Sequence, residues 1–339
     1  MIDLRSDTVT LPTKEMLEAI LDAKLGDDVS REDETVLELE EKAAKKMGKE
    51  AALLVTSGTQ GNLVSVMTHT NKGDEVFMES ESHVYYYEVG GMSAIAGVIP
   101  HLIPGNRGQI PPEKLEEAIR PPDIHYPNPR LVIIENTHNR AGGAVIPPEN
   151  MKAISDISHD KGLSVHVDGA RIFNAAIALN MDVSKLVEPV DTIMFCLSKG
   201  LSAPIGSLVV GNEEFIEKAR KNRKMIGGGM RQAGVIAAPG LVALEKMVDR
   251  LKEDHDNAKK LEKHLREIPS LNVWPVETNI VLIDISNTGY DSTQFLLELE
   301  KRGIKAVPFA RHLVRFTTHR HITEKDVDEA AAIIKEFLK

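Results

Sequence analysis

Three apolar runs in this chain end in residue types that bind an anion, hold a charge and attack a carbonyl. The first, AALLVT, stops at SGTQGN (57–62). A Ser-Gly-Thr turn that opens a helix offers free backbone N–H groups, a hydroxyl and the positive end of the helix dipole, which suits a phosphate on Gly58 and Thr59. It also suits a plain turn with a serine N-cap. The second run stops at Asp168 in HVDGAR (166–171). A carboxylate there needs a partner, because burying an unpaired charge is costly. Arg171, three residues on, would serve as a salt bridge; a protonated ring nitrogen on a ligand would serve as well. The third run leads to Lys199 in LSKG (197–200). A lysine that follows an apolar run is a candidate for Schiff-base chemistry. The alternative is an ordinary loop lysine. A fourth piece, GGGMRQAG (227–234), is a glycine-rich turn ahead of a helix.

Together the first three are the parts that pyridoxal 5'-phosphate requires. The turn anchors the phosphate. Asp168 keeps the pyridine nitrogen protonated, so that the ring draws electrons. Lys199, 31 residues later, holds the aldehyde as a Schiff base. A dinucleotide-binding dehydrogenase is a poor third reading, since no GxGxxG follows the first strand and SGTQGN has the wrong glycine spacing. No metal site is expected: His312, His319 and His321 flank a strand without HExxH-like spacing.

These residues need a scaffold that brings strand ends to one edge. Short apolar runs alternate with helical segments, which argues for an α/β fold. Helices are expected near 13–24 and 33–47, the latter stopped by Gly48, and from the SGTQGN turn to about 70. Strands are expected at 51–56, 75–79, 98–103, 131–136, 163–168, 192–196 and 206–210. Runs such as LVIIEN and LSVHVD lack period-two alternation, as strands covered on both faces of a mostly parallel sheet do. The stretch 121–129 reads as a loop, and 148–161 and 213–221 as crossover helices. After about 249 the pattern changes. A charged helix (250–267) leads to VWPVET, NIVLIDI, a helix at 292–302, IKAVPF, LVRFTTH and a last helix from Thr323. This is a smaller α+β domain. The division is an arm (1–12), a large α/β domain (13–249) and a small domain (250–339), with the charged helix joining the two domains.

The 339 residues suffice for a large core without disulfide or metal staples. A 42% apolar and 27% charged composition is that of an ordinary globular protein. No apolar run reaches 18 residues, and the N-terminal MIDLRSDTVTLP has no signal core, so neither a membrane span nor a secretory leader is expected. A net charge of −10 without a basic block argues against nucleic acid. The single cysteine, Cys196, fits a reducing cytoplasm.

The ordering of turn, Asp168 and Lys199 resembles the fold-type-I enzymes of pyridoxal phosphate. DLRSDTVTLPT, GDDVSREDETVLELE, SGTQGN, HVDGARIFNA, CLSKGLSAPIGS, GGGMRQAG and VRFTTH, in this order, resemble the low-specificity L-threonine aldolases from about residue 3 to about 320. The alternative that the resemblance leaves open is a β-eliminating amino-acid lyase or another fold-type-I enzyme of pyridoxal phosphate. The resemblance implies retro-aldol cleavage of L-threonine and L-allo-threonine to glycine and acetaldehyde. It implies that His83 stacks on the pyridine ring and that Arg171 reaches the cofactor hydroxyl and the substrate carboxylate. Arg315 would be the second carboxylate ligand, Ser6 an active-site serine, and His125 a neighbour of the substrate hydroxyl. Lys224 and Arg231 would enter a neighbouring subunit's site, Arg231 towards the phosphate. A homodimer with shared sites, paired into a homotetramer, follows. The run Tyr85–Tyr87 is expected to serve core or interface packing, with a place for one of the three in the lining of the pocket as the alternative.

Overall fold

The computed structural model describes residues 1–339. A seven-stranded sheet carries the site. Its spatial order is Ala51–Val55, Ser207–Gly211, Thr192–Cys196, Ser164–Asp168, Pro129–Glu135, Glu75–Glu79 and Ile99–Ile103. Every pairing is parallel except the two made by Ser207–Gly211. The strands ending at Val55, Asp168 and Cys196 therefore run the same way, and the three chemical pieces meet at one carboxyl edge, where ligands sit in such sheets. Strands 75–79, 192–196 and 207–211 are buried at every residue, which is why their sequences do not alternate.

Local signals set the helix ends. The helix Glu34–Met47 starts where the Asp33 side chain accepts from the Val36 N–H, and it stops at Gly48 with φ 65°. The helix Gly58–His69 starts at Ser57, whose hydroxyl accepts from the Gln60 N–H. Helices 112–118, 172–179 and 183–186 also form; the sequence pattern did not announce them.

A second core gathers around the four-stranded antiparallel sheet of Val307–Ala310, Leu313–Thr317, Ile280–Asp284 and Asn272–Val273. VWPVET was expected as a strand, but only Asn272–Val273 pairs: Pro275 has no N–H to give to a ladder. IKAVPF divides into Ile304–Lys305 and Val307–Ala310. The first of these pairs in parallel with Ile2–Asp3 of the N-terminal arm. Ile2 and Leu4 are buried in this second core, which ties the arm to the small domain. The helix Leu251–Leu265 belongs to both cores, Leu251 to the large one and Ala258, Leu261 and Leu265 to the small one. No helix is long and apolar enough to cross a membrane.

Candidate active site

The turn after the first strand is open. Ser57 occupies the Gln60 N–H, while the backbone N–H groups of Gly58 and Thr59, at the head of a 12-residue helix, have no partner in the chain. A side chain at Gly58 would press on Cys196 Sγ at 3.0 Å, so the turn lies directly on the end of the strand that leads to Lys199. The glycine turn at 227–229 packs beside it, since a side chain at Gly228 would collide with Gln60.

Asp168 is buried, and the salt bridge to Arg171 does not form. Asp168 Oδ2 accepts from Asn62 Nδ2 at 3.0 Å, and Oδ1 from the Ala170 N–H at 3.2 Å. Arg171 turns the other way, to Asp7: Nε donates to Oδ2 and Nη2 to Oδ1, each at 2.7 Å. Asn279 Nδ2 adds a third bond to Asp7 at 3.2 Å. Burial alone would raise the Asp7 pKa, but the Arg171 charge and its hydrogen bonds, with Lys199 and Asn279 adding, hold it well below the ordinary carboxylate range.

Beside Asp168 lies a second buried carboxylate, Glu88, which accepts from Asn62 Nδ2 at 2.8 Å and lies 3.0 Å from His83 Nδ1. Burial raises the Glu88 pKa, and the neighbouring Asp168 charge adds to this. Burial would depress the His83 pKa, yet the hydrogen bond with Glu88 and the charges of Asp168 and Glu135 outweigh it and raise it. Ligand atoms of His83, Glu88 and Asp168 lie within 4.8 Å of one another. The expectation of no metal-type cluster from sequence spacing therefore missed a three-residue grouping made by the fold. Its acids already share Asn62, and the chemistry around it suits an organic cation, so we assign it no metal.

Arg315 stands on the small-domain strand Leu313–Thr317. Its Nη1 donates to Asn139 Oδ1 at 2.8 Å and its Nη2 to the Arg5 carbonyl at 3.3 Å, while its buried Nε has no partner. No carboxylate pairs with it. Its pKa is pushed down to about 10, by burial first and by the positive charge of Arg171 second. Two guanidinium groups thus face each other with one anion, Asp7, between two claims. Glu135, at the end of the strand next to Asp168, holds this corner together: it accepts from the His83 N–H at 2.6 Å and the Asn139 N–H at 2.8 Å.

Lys199 sits in the loop after Thr192–Cys196, half-buried, with no ion pair; its carbonyl accepts from Thr10 Oγ1 at 2.9 Å. Ser6 is half-buried beside Asp7, and its hydroxyl accepts from the Thr8 N–H. Lys199, Asp168, Gly58, Thr59, His83, Arg171, Arg315 and Ser6 therefore gather at one edge. Three sequence candidates do not join them. His125 lies on an exposed loop, bonded only by its backbone to Asp123. Lys224 is exposed, and Arg231 pairs with Asp27 at 2.8 Å, largely in solvent. Core packing by the tyrosines is also corrected: Tyr85, Tyr86 and Tyr87 are all exposed, with the Tyr87 ring 5.2 Å from that of His83. Asp7, Asn62, Glu88, Glu135 and Asn139 were missed. Asp7 and Asn62 lay inside the motifs already singled out, DLRSDTVT and SGTQGN.

The chain matches the beta-eliminating lyase family over residues 3–288. It is 44% identical over 333 residues to low-specificity L-threonine aldolase 1 of Arabidopsis thaliana, covering 96% of this chain and 93% of the relative. To the low specificity L-threonine aldolase of Escherichia coli strain K12 it is 40% identical over 339 residues, covering 100% and 99%. The chain belongs to the threonine aldolase family. A threonine aldolase structure from Leishmania major superposes with TM-score 0.86 at 17% identity, covering 100% of both chains, which extends the family likeness to the fold. That fold is the fold-type-I arrangement expected from the sequence. The residues present fit the cofactor of this fold: unpaired N–H groups for a phosphate, a buried carboxylate pair for a ring cation, and an accessible lysine.

Proposed function

We propose that this family member is a pyridoxal-phosphate-dependent lyase that cleaves L-threonine, L-allo-threonine and related β-hydroxy-α-amino acids, reversibly, to glycine and an aldehyde. The observation that carries the reading is Arg315: a half-buried guanidinium without an anion, its Nε buried and unpartnered, beside Arg171 and at the same edge as Lys199 and Asp168. A free amino acid's carboxylate supplies that anion. When bound as a Schiff base on Lys199, pyridoxal phosphate supplies the electron sink for the broken bond.

The chain's own residues do the rest. Gly58 and Thr59 hold the phosphate, and Asp168 holds the ring nitrogen proton. Arg315 and the open Nη1 of Arg171 clamp the carboxylate, which fixes rotation of the reacting carbon. His83 stacks on the ring and takes the β-hydroxyl proton; His125, on its exposed loop, is left without a part in this step. Ser6 borders the carboxylate site. Lys224 and Arg231, exposed beside the phosphate turn, enter the site of a second copy, giving a homodimer with shared sites and a homotetramer of two such dimers. Exposed Met225 and Val235 flank these two basic residues, which favours such a contact. The division into an arm (1–12), a large domain (13–249) and a small domain (250–339) rests on the two cores and their shared helix.

Beta-elimination is the second reading, favoured by the family match over 3–288. Incubation with pyridoxal phosphate and L-threonine distinguishes the two. Equimolar acetaldehyde and glycine support the aldolase. Ammonia with a keto acid supports elimination, and the absence of both product pairs refutes both.

A further inference from the structure

Behind Asp168 a line of polar groups, buried except for its half-buried end at His69, runs between one face of the sheet and the helix Gly58–His69. Asn62 spends its amide hydrogens on two carboxylates, Asp168 Oδ2 at 3.0 Å and Glu88 Oε1 at 2.8 Å. That fixes which way the amide faces. Its oxygen, an acceptor only, meets His166 Nε2 at 3.2 Å, so Nε2 carries a hydrogen. His166 is fully buried, and burial with the nearby His69 pushes its pKa down to about 3, so the ring is neutral and Nδ1 is bare. Thr192 Oγ1, 2.9 Å from Nδ1, must then donate to it. With its hydrogen spent, Thr192 accepts from His69 Nε2 at 2.8 Å. His69 is neutral as well, its pKa pushed down to about 4 by burial. All the hydrogen bonds therefore point one way, from His69 through Thr192, His166 and Asn62 to Asp168.

We propose that Asn62, His166, Thr192 and His69 form a one-directional polarising relay that strengthens the hydrogen bond donated to Asp168 and so sets how firmly Asp168 holds the proton on the cofactor ring. Aligned hydrogen bonds polarise one another, and in a buried site each is stronger than in water. The relay touches neither substrate nor the bond that breaks, so its members are positioning residues. The inference rests on the pyridoxal-phosphate reading of the site.

The test compares wild type with Thr192→Val, which removes the hydroxyl at nearly constant volume, Thr192→Ser, which restores it, and His69→Phe, which removes only the far donor and keeps a ring on Phe215. Dissociation of pyridoxal phosphate is measured by equilibrium dialysis, and kcat and KM for L-threonine separately. Loss of both bonds of the Thr192 hydroxyl, felt at Asp168 through Asn62, predicts roughly threefold to tenfold weaker cofactor binding and lower kcat in Thr192→Val. KM stays unchanged, Thr192→Ser recovers, and His69→Phe gives a smaller effect of the same sign. Thr192→Val that folds, binds the cofactor as tightly as wild type and keeps its kcat overturns the relay. So does a larger effect from His69→Phe than from Thr192→Val. If Thr192→Val does not fold, His69→Phe against wild type decides. A wild type that binds no pyridoxal phosphate instead refutes the functional reading on which the relay depends.

Discussion

Replacing Asp7 by alanine tests the electrostatic frame of the site. Asp7 is wholly buried and is the only carboxylate paired with Arg171, which is itself buried. The two N–H···O bonds of 2.7 Å make a bidentate pair. With charge centres roughly 4 Å apart and an effective dielectric near 20, the attraction is about 4 kcal/mol. Breaking a buried pair from one side costs about 3–5 kcal/mol, because the other charge is stranded. Here it is stranded beside Arg315, a like charge that Arg171 already perturbs. Asp7→Ala is therefore expected to lose about 3–5 kcal/mol at pH 7, read as a fall in thermal midpoint at fixed protein and cofactor concentration. The pH dependence has a definite sign. Asp7's folded pKa is depressed, so its contribution is complete above the unfolded value of about 3.9 and fades as pH falls through the folded value. The deficit of the variant should hold from pH 8 to about 5 and narrow only below about 4. A loss under about 1 kcal/mol at pH 7, or a deficit that shrinks between pH 8 and 5, refutes the reasoning.

Three other outcomes follow from the same geometry. Arg315→Ala should raise KM for L-threonine at least tenfold, from about 1.5–3 kcal/mol for a hydrogen bond to a charged group, with a smaller change in kcat; an unchanged KM removes Arg315 from the carboxylate site. Asp168→Ala should weaken pyridoxal-phosphate binding and slow turnover by more than about tenfold, seen by dialysis and by aldehyde release; wild-type values would make Asp168 merely structural. His83 must be neutral to accept a proton, and its folded pKa is raised above 6.5, so activity should climb through the raised value on the acid side. His83→Phe keeps an aromatic ring for stacking and should lose that limb of the pH profile; retention of the limb points to another base.

Strand and helix positions were legible where one residue type decides the geometry. Asp33 and Gly48 bracket a helix, and uniform burial explains the unbroken apolar strands. Asp168, Lys199 and the SGT turn were legible because each ends such a strand, and a parallel sheet sends those ends to one edge. The helix 172–179, IFNAAIAL, was not, because it is apolar on nearly every side and has no period to read. The pairing of Ile2–Asp3 with Ile304–Lys305 was not, because two residues carry no pattern. The destination of Arg171 also escaped. Two carboxylates compete for it, one three residues back and one 164 residues back, and only the folded arm shows that Asp7 takes it. Glu88 and Asn62 were hidden for the same reason: their partners come from separate strands and helices.

The central claim is that the SGT turn, Asp168 and Lys199 form one pyridoxal-phosphate site with Lys199 as its covalent anchor. Borohydride reduction of the cofactor-loaded protein, followed by peptide mass spectrometry, tests it most directly. The account predicts a stable pyridoxyl group on the peptide carrying Lys199, absent in Lys199→Ala. A label on a different lysine, or no label at all, contradicts it.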